Sequence, residues 1–593
     1  MVLPATEFLR SHGTSRVADQ IVAALYEAGV RTVFGVPGGA ISAVYDALMD
    51  EPRIRVINAN HETTAVYAAA AYARATGSLG VVLVTSGPGV TNATTGIASA
   101  FCDGLPVLVM GGEVARKNYG RGALQEGSPY HLNLVSVLRY ITKLSAEVIT
   151  AEQAIFTLRK AMATCMSGRK GPAFLSVPLD IQGTKTATPR LAHQAQSRFS
   201  VEEGAVEAAA HMLLTGERPI VIAGSGTRWG QGAAALKSFA ERFNVPVATT
   251  PKAKGVFPES HPLSLGVYGL GGHPAAIEYL RKGVDTLIAV GTSLGDMATN
   301  SWSADLAPAN FIQVDIDSAQ IGRNYAAGIG LVGDAGEVMN RLAALAPAVL
   351  PPRKMPRHEL FTEPEQLGTP GPIKPQRALW ELQRLLPAST IFTCDIGDHT
   401  MFALHYLKIE APDAFYLQSG LGGMGSGVAA AIGVKLAHPD RPVVAVCGDG
   451  TIQMSAMDLS LAATERLNII YCVLNDNRYG MVEAGHKAIY GRTPDFKVSL
   501  NVAELTRALG ADVQVVEHPD ELLALGTRRL LNHRGPLVID VRVDPNEKMP
   551  RLARFDAIKK DIGAVVPAAP PVVDVPLEPI PGFPTGVNRG GWQ

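Results

Sequence analysis

The chain has no excess of charge of either sign: 53 Lys and Arg stand against 54 Asp and Glu, a formal net charge of −1 over 593 residues. Without a basic run it offers no electrostatic footprint to nucleic acid or to an anionic membrane surface. No apolar stretch approaches the roughly 18 residues that a membrane span requires. Residues 1–17 hold no signal-peptide apolar core. Paired cysteines are also missing: Cys102, Cys165, Cys394, Cys447 and Cys472 are scattered, without metal-ligand spacing. Buried free thiols in a reducing compartment are therefore expected, which places the protein in the cytoplasm with no nucleic-acid and no membrane partner.

What is present is apolar. The sequence is 47% hydrophobic and 18% charged, enough for a large core, and its length suggests about three or four domains. Short apolar runs alternate with Ala-rich helical stretches, so the expected class is α/β, with three doubly wound parallel sheets. The first unit is expected over 14–182, with strands at 80–85 and 106–110. A linker rich in Thr, Gln and Ser spans 182–200. A Rossmann-like middle unit follows over 200–347, with strands at 219–223, 285–290 and 311–314. Prolines without periodicity mark a second linker over 347–375. The third unit covers 375–548. A tail over 549–593 is Pro- and Val-rich from Val565, which favours an extended arm or disorder over a helix.

Two acids point to chemistry. Gly448-Asp449-Gly450-Thr451 ends one apolar run and Asn475-Asp476-Asn477 ends the next. Asp449 and Asp476 are 27 residues apart, the length of a strand–helix–strand unit. They are expected at the carboxyl ends of neighbouring parallel strands, where open α/β sheets bind ligands. Two hard oxygen ligands beside glycines that admit a phosphate suit Mg²⁺ bridging a diphosphate. The carbonyl of Arg478 is expected to add a third ligand, and Asn475 to orient rather than ligate. Strands are expected at 441–447 and 468–474. Between them Thr451 opens a helix, with Ile452, Met457 and Leu461 inward and free N–H groups toward a phosphate. A bare turn with solvated acids is the competing reading of this motif.

Other segments narrow the choice. Residues 394–401 (CDIGDHTM) follow a strand at 390–393 and put Ile396, Gly397, Asp398 and His399 at its end. In 420–427 (GLGGMGSG) Met424 is a lone bulky side chain among glycines, Gly422 included, placed like a wedge, although core filler is the alternative. Glu62 follows a strand at 54–59 and opens a helix over 63–74. A carboxylate at a helix start is also ordinary macrodipole chemistry.

FGVPGGAI at 34–41, HETTAVYAAAAYARATG at 61–77, TSGPGVTN at 85–92 and ALQE at 123–126 together resemble the first domain of acetolactate synthase-like thiamine-diphosphate enzymes. The resemblance continues through VPV at 245–247 and HPLSLG at 261–266 into the third unit, over roughly 14–548. It implies a pyrimidine-binding first unit, with cofactor contacts at Pro37, Gly38, Ser86, Gly87 and Asn92. Glu62 is implied as the catalytic acid on the aminopyrimidine ring nitrogen, in a dry pocket. The third unit would hold the diphosphate through Ile396, Gly397, Asp398, His399, Gly422, Gly448, Asp449, Gly450, Thr451 and Asp476, with Gly480, Met481 and Val482 on the substrate side. Met424 would support the bent cofactor, and Gln125, followed by Glu126, would border the reaction. Asp476 stands where the family commonly has Asn. The resemblance also implies that Glu62 of one subunit serves cofactor held by another, in a homodimer or homotetramer.

Such enzymes decarboxylate a 2-keto acid donor and join the remaining unit to a carbonyl acceptor. Pyruvate is the expected donor. Members of the biosynthetic group carry Trp where this chain has Gly485, Lys where it has Leu179, and a flavin-holding Arg- and Asp-rich segment where it has GTSLGD at 291–296. Loss of the indole is expected to leave room for a larger acceptor. Turns are expected at 224–226 and 291–295, and bound FAD is not expected. A catabolic or specialised acetolactate synthase-like carboligase fits these departures. A decarboxylase or acyl-transfer lyase, of the oxalyl-CoA decarboxylase or sulfoacetaldehyde acetyltransferase type, is one alternative, and a catalytically silent homologue another. Gln125 and the Gly480-Met481-Val482 segment favour the carboligase, and retention of Glu62, Met424 and Asp449 speaks against silence.

Overall fold

The computed structural model describes residues 13–187, 201–348, 360, 367, 371–550 and 553–562. Strand β1 (Thr14–Arg16) precedes a sheet built from β2 (Thr32–Gly35), β3 (Arg55–Asn58), β4 (Gly80–Val84), β5 (Val107–Glu113), β6 (Leu144–Glu147) and β7 (Ala173–Pro178). Strand β8 (Lys185–Ala187) returns antiparallel to β1, so the expected linker at 182–200 opens with a strand; residues 188–200 lie outside the described residues. The middle sheet holds β9 (Pro219–Ala223), β10 (Val247–Thr249), β11 (Ser264–Val267), β12 (Thr286–Val290), β13 (Asn310–Asp315) and β14 (Ile329–Val332). The third holds β15 (Ile391–Cys394), β16 (Phe415–Leu417), β17 (Val443–Gly448), β18 (Ile469–Asn475), β19 (Asp512–Val516) and β20 (Leu537–Arg542).

All three sheets are six-stranded and parallel. The central strands read as continuous apolar runs, such as GVVLV in β4 and VVAVCG in β17, and are buried along their whole length. That is the pattern of strands covered on both faces by helices. The first sheet is ordered β3-β2-β4-β5-β7-β6 and the third β16-β15-β17-β18-β20-β19, the same topology used twice. The middle sheet differs: its order, β11-β10-β9-β12-β13-β14, is that of dinucleotide-binding sheets, with the switch point between β9 and β12.

Eight helices frame the site: α1 (Glu62–Thr76), α2 (Pro88–Asp103), α3 (Asp398–Tyr406), α4 (Ser426–Ala437), α5 (Asp449–Ser455), α6 (Met457–Thr464), α7 (Gly480–Tyr490) and α8 (Ala553–Asp561). Helix α8 falls in the stretch expected to be tail; the part from Val565 onward is outside the described residues, as is most of the linker at 347–375. Helices α1 and α4 pack backbone to backbone. A Cβ on Gly433 would lie 2.0 Å from the Ala68 carbonyl oxygen, so only glycine allows this approach. One apolar core results, shared by Ala65, Ala68 and Ala69 of the first sheet's layer and Val428, Ala431 and Ile432 of the third's. Polar contacts reinforce the seam: Thr64 Oγ1 donates to Asp458 Oδ1 at 2.7 Å, and Asn60 Nδ2 to the Met457 carbonyl at 2.7 Å.

The middle sheet is tied to the third by a buried ion pair. Lys254 Nζ lies 2.6 Å from Glu259 Oε1 with both side chains fully buried. Lys254 also donates to the Leu404 carbonyl at 2.9 Å, and Glu259 accepts from Ile409 N at 2.7 Å. Each charge is thereby hydrogen-bonded as well as paired, the condition for burying such a pair at all. All five cysteines are free, and Cys165, Cys394, Cys447 and Cys472 are buried.

Candidate active site

Strands β17 and β18 pair in parallel, with Gly448 opposite Leu474, so Asp449 and Asp476 leave the same edge of the sheet on adjacent strands. Asp449 is the first residue of α5, whereas Thr451 was expected to open that helix. The helix then breaks: α5 ends at Ser455 and α6 starts at Met457. Ile452 and Leu461 are buried as expected, but Met457 is 55% exposed. The inward place one turn after Ile452 falls to Ala456, because four residues, not five, complete a turn.

Asp449 is 2% exposed and its Oδ2 has no hydrogen-bond partner. Burial, then the neighbouring Asp476 and Asp398, push its carboxyl up to about 7. Burial and Asp398 push Asp476 up to about 6, opposed by the Arg478 guanidinium. Arg478 Nε lies 3.1 Å from Asp476 Oδ2, and its Nη1 reaches Glu483 at 3.2 Å. Asn475 donates to Asp540 Oδ1 at 2.8 Å and accepts from Asn477 N at 3.2 Å, so its side chain is committed to the loop's shape. Gly480 is wedged among the acids: a Cβ there would sit 2.4 Å from Asp398 Oδ2 and 2.7 Å from Asp476 Oδ2.

The neighbouring motifs converge on this edge. His399 lies in the first turn of α3, 2% exposed, beside Gly397 and Gly448; neither ring nitrogen is hydrogen-bonded, and Nδ1 lies 3.6 Å from Asp398 Oδ1. Asp398 Oδ1 caps the His399 N–H at 2.8 Å. Gly422 and Gly425 take positive φ (76° and 89°) and frame Met424. The Met424 terminal methyl is 3.6 Å from where a Cβ on Gly450 would stand, so it reaches the GDG turn. Met481 is partly buried against the third sheet's core and Val482 is 47% exposed.

One residue missing from the expected set holds these loops together. Asp395, fully buried at the end of β15, accepts through Oδ1 from Ile396 N (2.8 Å), Gly425 N (3.0 Å) and Thr451 Oγ1 (3.0 Å), and through Oδ2 from Gly427 N (2.6 Å). The lone acid between Cys394 and Ile396 was visible in the sequence, but its partners are up to 56 residues away, and no local pattern names them.

The other group sits on the first sheet. His61 caps α1, with Nδ1 accepting from Thr63 N at 3.2 Å, and Glu62 follows as the first helical residue. Glu62 is 7% exposed, and its Oε2 accepts from Asn92 Nδ2 at 3.0 Å. Gln125 takes a left-handed backbone (φ 64°) directly against Gly87, where a Cβ would meet its Cα at 3.0 Å. Gly38, next to Pro37, packs on Thr85, with a would-be Cβ 2.5 Å from the Thr85 Cβ. Ser86 donates to Glu113 Oε1 at 3.0 Å. Glu113, also absent from the expected set, further accepts from Val114 N (2.8 Å) and Gly127 N (3.0 Å) and so pins the loop carrying Gln125. No hydrogen bond among the described residues joins Glu62 to the acids of the third sheet.

At Gly485 the space expected to be empty holds the ring of Phe555, 3.1 Å from where a Cβ would be. At the middle sheet's switch point a cleft of about 160 Å³ is lined by Gly226, Gly291, Thr292, Asp315, Asp103 and Lys252. Gly291 turns there with φ 59°, as expected. Beside the loop after β18 a larger cleft of about 720 Å³ is bordered by Asp476, Arg478, Glu483 and Phe496.

The third-sheet residues suit a cation held together with a diphosphate. Asp449 Oδ2 and His399 Nε2 are buried polar atoms without hydrogen bonds, a costly state unless a ligand completes them. Among the described residues no three His, Cys, Asp or Glu side chains form a metal cage. A cation completed by a main-chain carbonyl and phosphate oxygens needs none.

Known proteins identify the family. The chain matches the thiamine pyrophosphate enzyme N-terminal TPP binding domain over residues 15–132, the central domain over 206–342 and the C-terminal TPP binding domain over 395–541. It is 33% identical to the probable acetolactate synthase large subunit of Methanocaldococcus jannaschii over 561 residues, covering 90% of this chain and 93% of that one. It is 34% identical to the acetolactate synthase isozyme 3 large subunit of Escherichia coli, covering 89% and 95%. With Asp449 and Asp476 on adjacent strands, Met424 against the GDG turn and Glu62 heading its own helix, the chain belongs to the acetolactate synthase large-subunit family of thiamine pyrophosphate enzymes.

Proposed function

We propose that this enzyme uses thiamine diphosphate and Mg²⁺ to decarboxylate a 2-keto acid, pyruvate first, and to join the remaining two-carbon unit to a second carbonyl compound. The observation that carries the reading is the pair of acids on adjacent strand ends, Asp449 buried with an unpartnered oxygen and Asp476 partly buried, next to Met424. Asp449, Asp476 and the Arg478 carbonyl would hold the cation. His399 and the N-terminus of α5 would face the diphosphate. When bound, the cofactor supplies an electron sink for loss of carbon dioxide.

The chain's own groups do the rest. Asn92 engages Glu62 Oε2, which leaves Oε1 to share a proton with the pyrimidine ring nitrogen. Met424 sets the cofactor's bend, and Gln125, pinned against Gly87, borders the acceptor. Asp395 is a positioning residue that keeps the Met424 loop and Thr451 in register. The active unit is a homodimer or homotetramer in the cytoplasm, with Glu62 acting on cofactor held by its partner. Flavin is not part of the reading, because GTSLGD at 291–296 stands where the biosynthetic group has its Arg- and Asp-rich flavin-holding segment. Colourless purified protein without flavin fluorescence is the expected result.

Incubation with pyruvate, Mg²⁺ and thiamine diphosphate, followed by mass analysis, tests the reaction. Acetolactate or another acyloin product supports it. Free aldehyde in place of an acyloin makes the enzyme a decarboxylase, and unchanged substrate across a panel of 2-keto acids contradicts the proposal.

A further inference from the structure

Two arginines line one small cavity where the three units meet, and neither is paired with an acid. Arg74 stands in the last turn of α1; its Nη2 donates to the Phe415 carbonyl at 2.8 Å, and its guanidinium lies 4.4 Å over the Tyr416 ring. Arg228 ends a 3₁₀ turn (Ser225–Arg228) after β9, and its Nη2 donates to the Lys252 and Lys254 carbonyls at 3.2 and 3.3 Å. Among the described residues neither guanidinium forms an ion pair. Arg74 Nε, Arg228 Nε and Arg228 Nη1 are buried donors without acceptors. The cavity they share is about 20 Å³, with Asp103, Lys252, Trp229 and Leu417 around it. Asp103 is the acid of this lining and is already matched: its Oδ1 accepts from Lys252 Nζ and from Gly420 N, each at 2.9 Å. Three cations thus surround a single carboxylate.

An arginine keeps its proton inside a protein, so burial cannot neutralise these groups as it can a lysine. Burial and the neighbouring Arg74 both disfavour the charge on Arg228, and an unmatched buried charge is costly. An occupant that is negative and accepts from several N–H groups answers both deficits. Its size is bounded, because roughly 10–15 Å³ of such space already admits a water; a phosphate or a sulfate is too large. We propose that the cavity is a chloride site, in which one halide ion accepts from Arg74 Nε and from Arg228 Nε and Nη1 and fastens α1, the turn after β9 and the end of β16 to one another. Water is the neutral occupant of similar size. It can donate to Asp103 Oδ2, which has no partner, but it leaves both guanidinium charges unmatched. The site shares no residue with the cofactor contacts, so it stands apart from the carboligase reading.

Crystals of the full chain soaked in bromide, with diffraction recorded at the bromine edge, test the occupant. An anomalous peak between Arg74 and Arg228 is expected; a cavity holding only water overturns the proposal. In solution the thermal midpoint is expected to rise by about 1–2 °C between about 1 and 100 mM chloride. Ionic strength is held constant with gluconate, which is too large to enter. Arg228→Gln removes the charge while keeping an N–H donor, and is expected to flatten this response. A variant that responds to chloride as the wild type does overturns the proposal. Bromide density without a midpoint response in the wild type marks an adventitious ion only and overturns it as well. If Arg228→Gln does not fold, the wild-type crystal and chloride titration decide between the two occupants.

Discussion

Glu62 and Asp449 are both acids at the first position of a helix, yet their surroundings assign them different work. Glu62 has a single amide partner and a free oxygen's worth of capacity, suited to sharing a proton. Glu62→Gln keeps the shape and removes the acid, so turnover is expected to fall by about 10²–10⁴ while cofactor affinity is nearly unchanged, as steady-state rates and calorimetry would show. Asp449 has a buried oxygen with no partner. Asp449→Ala is expected to abolish Mg²⁺-dependent retention of the cofactor on gel filtration. Asp458 is a third buried acid, outside the cofactor contacts, whose carboxyl burial pushes up to about 7. An unfolded aspartate titrates near 3.9. The native state therefore holds the extra proton between these values, and stability falls as pH rises through that range, then levels off above about 7. Asp458→Asn removes the titration. Between pH 5 and 8 the wild type is expected to lose about 2 kcal/mol more than this variant in urea unfolding; parallel profiles would refute this.

At the scale of elements, Gly433 is the contact point of α1 and α4, and any Cβ there meets the Ala68 carbonyl. Gly433→Val is expected to lower the urea midpoint by an amount worth at least about 1–3 kcal/mol, whereas Gly168→Ala, with open space around the glycine but a left-handed backbone, tests strain without collision. The parallel strands and their order of appearance were legible in the sequence because buried parallel strands are continuous apolar runs; 219–223 is occupied by β9 residue for residue. The 27-residue spacing likewise led to the correct neighbouring strand ends for Asp449 and Asp476. Met457 was misread as inward because it lies five residues after Ile452, whereas the inward place one turn on is Ala456. Asp395 and Glu113 escaped notice for another reason. Each gathers main-chain N–H groups of distant glycines together with one distant hydroxyl, Thr451 or Ser86, and such partners leave no local pattern to read. Phe555 was missed because filling by a remote helix cannot be inferred from the glycine it covers.

The whole molecule repeats one sheet topology at its two ends and places a dinucleotide-type sheet between them. The repeat separates the acids: Glu62 belongs to the first sheet and Asp449 and Asp476 to the third, with no hydrogen bond between them among the described residues. Large apolar side chains remain uncovered near both groups, among them Leu124 at 88%, Tyr130 at 76% and Met454 at 64% exposure. Side chains of this size suit burial against a second copy of the chain, as proposed above. In the proposed dimer one protomer's Glu62 serves the cofactor held by its partner. The most direct test co-expresses Glu62→Gln with Asp449→Ala, each inactive by itself. In a mixed dimer one site gathers both defects and the other gathers neither, so activity is predicted to return well above that of either parent. If the mixed dimer forms and stays as inactive as its parents, Glu62 and Asp449 serve the same site from the same chain, and the account is contradicted.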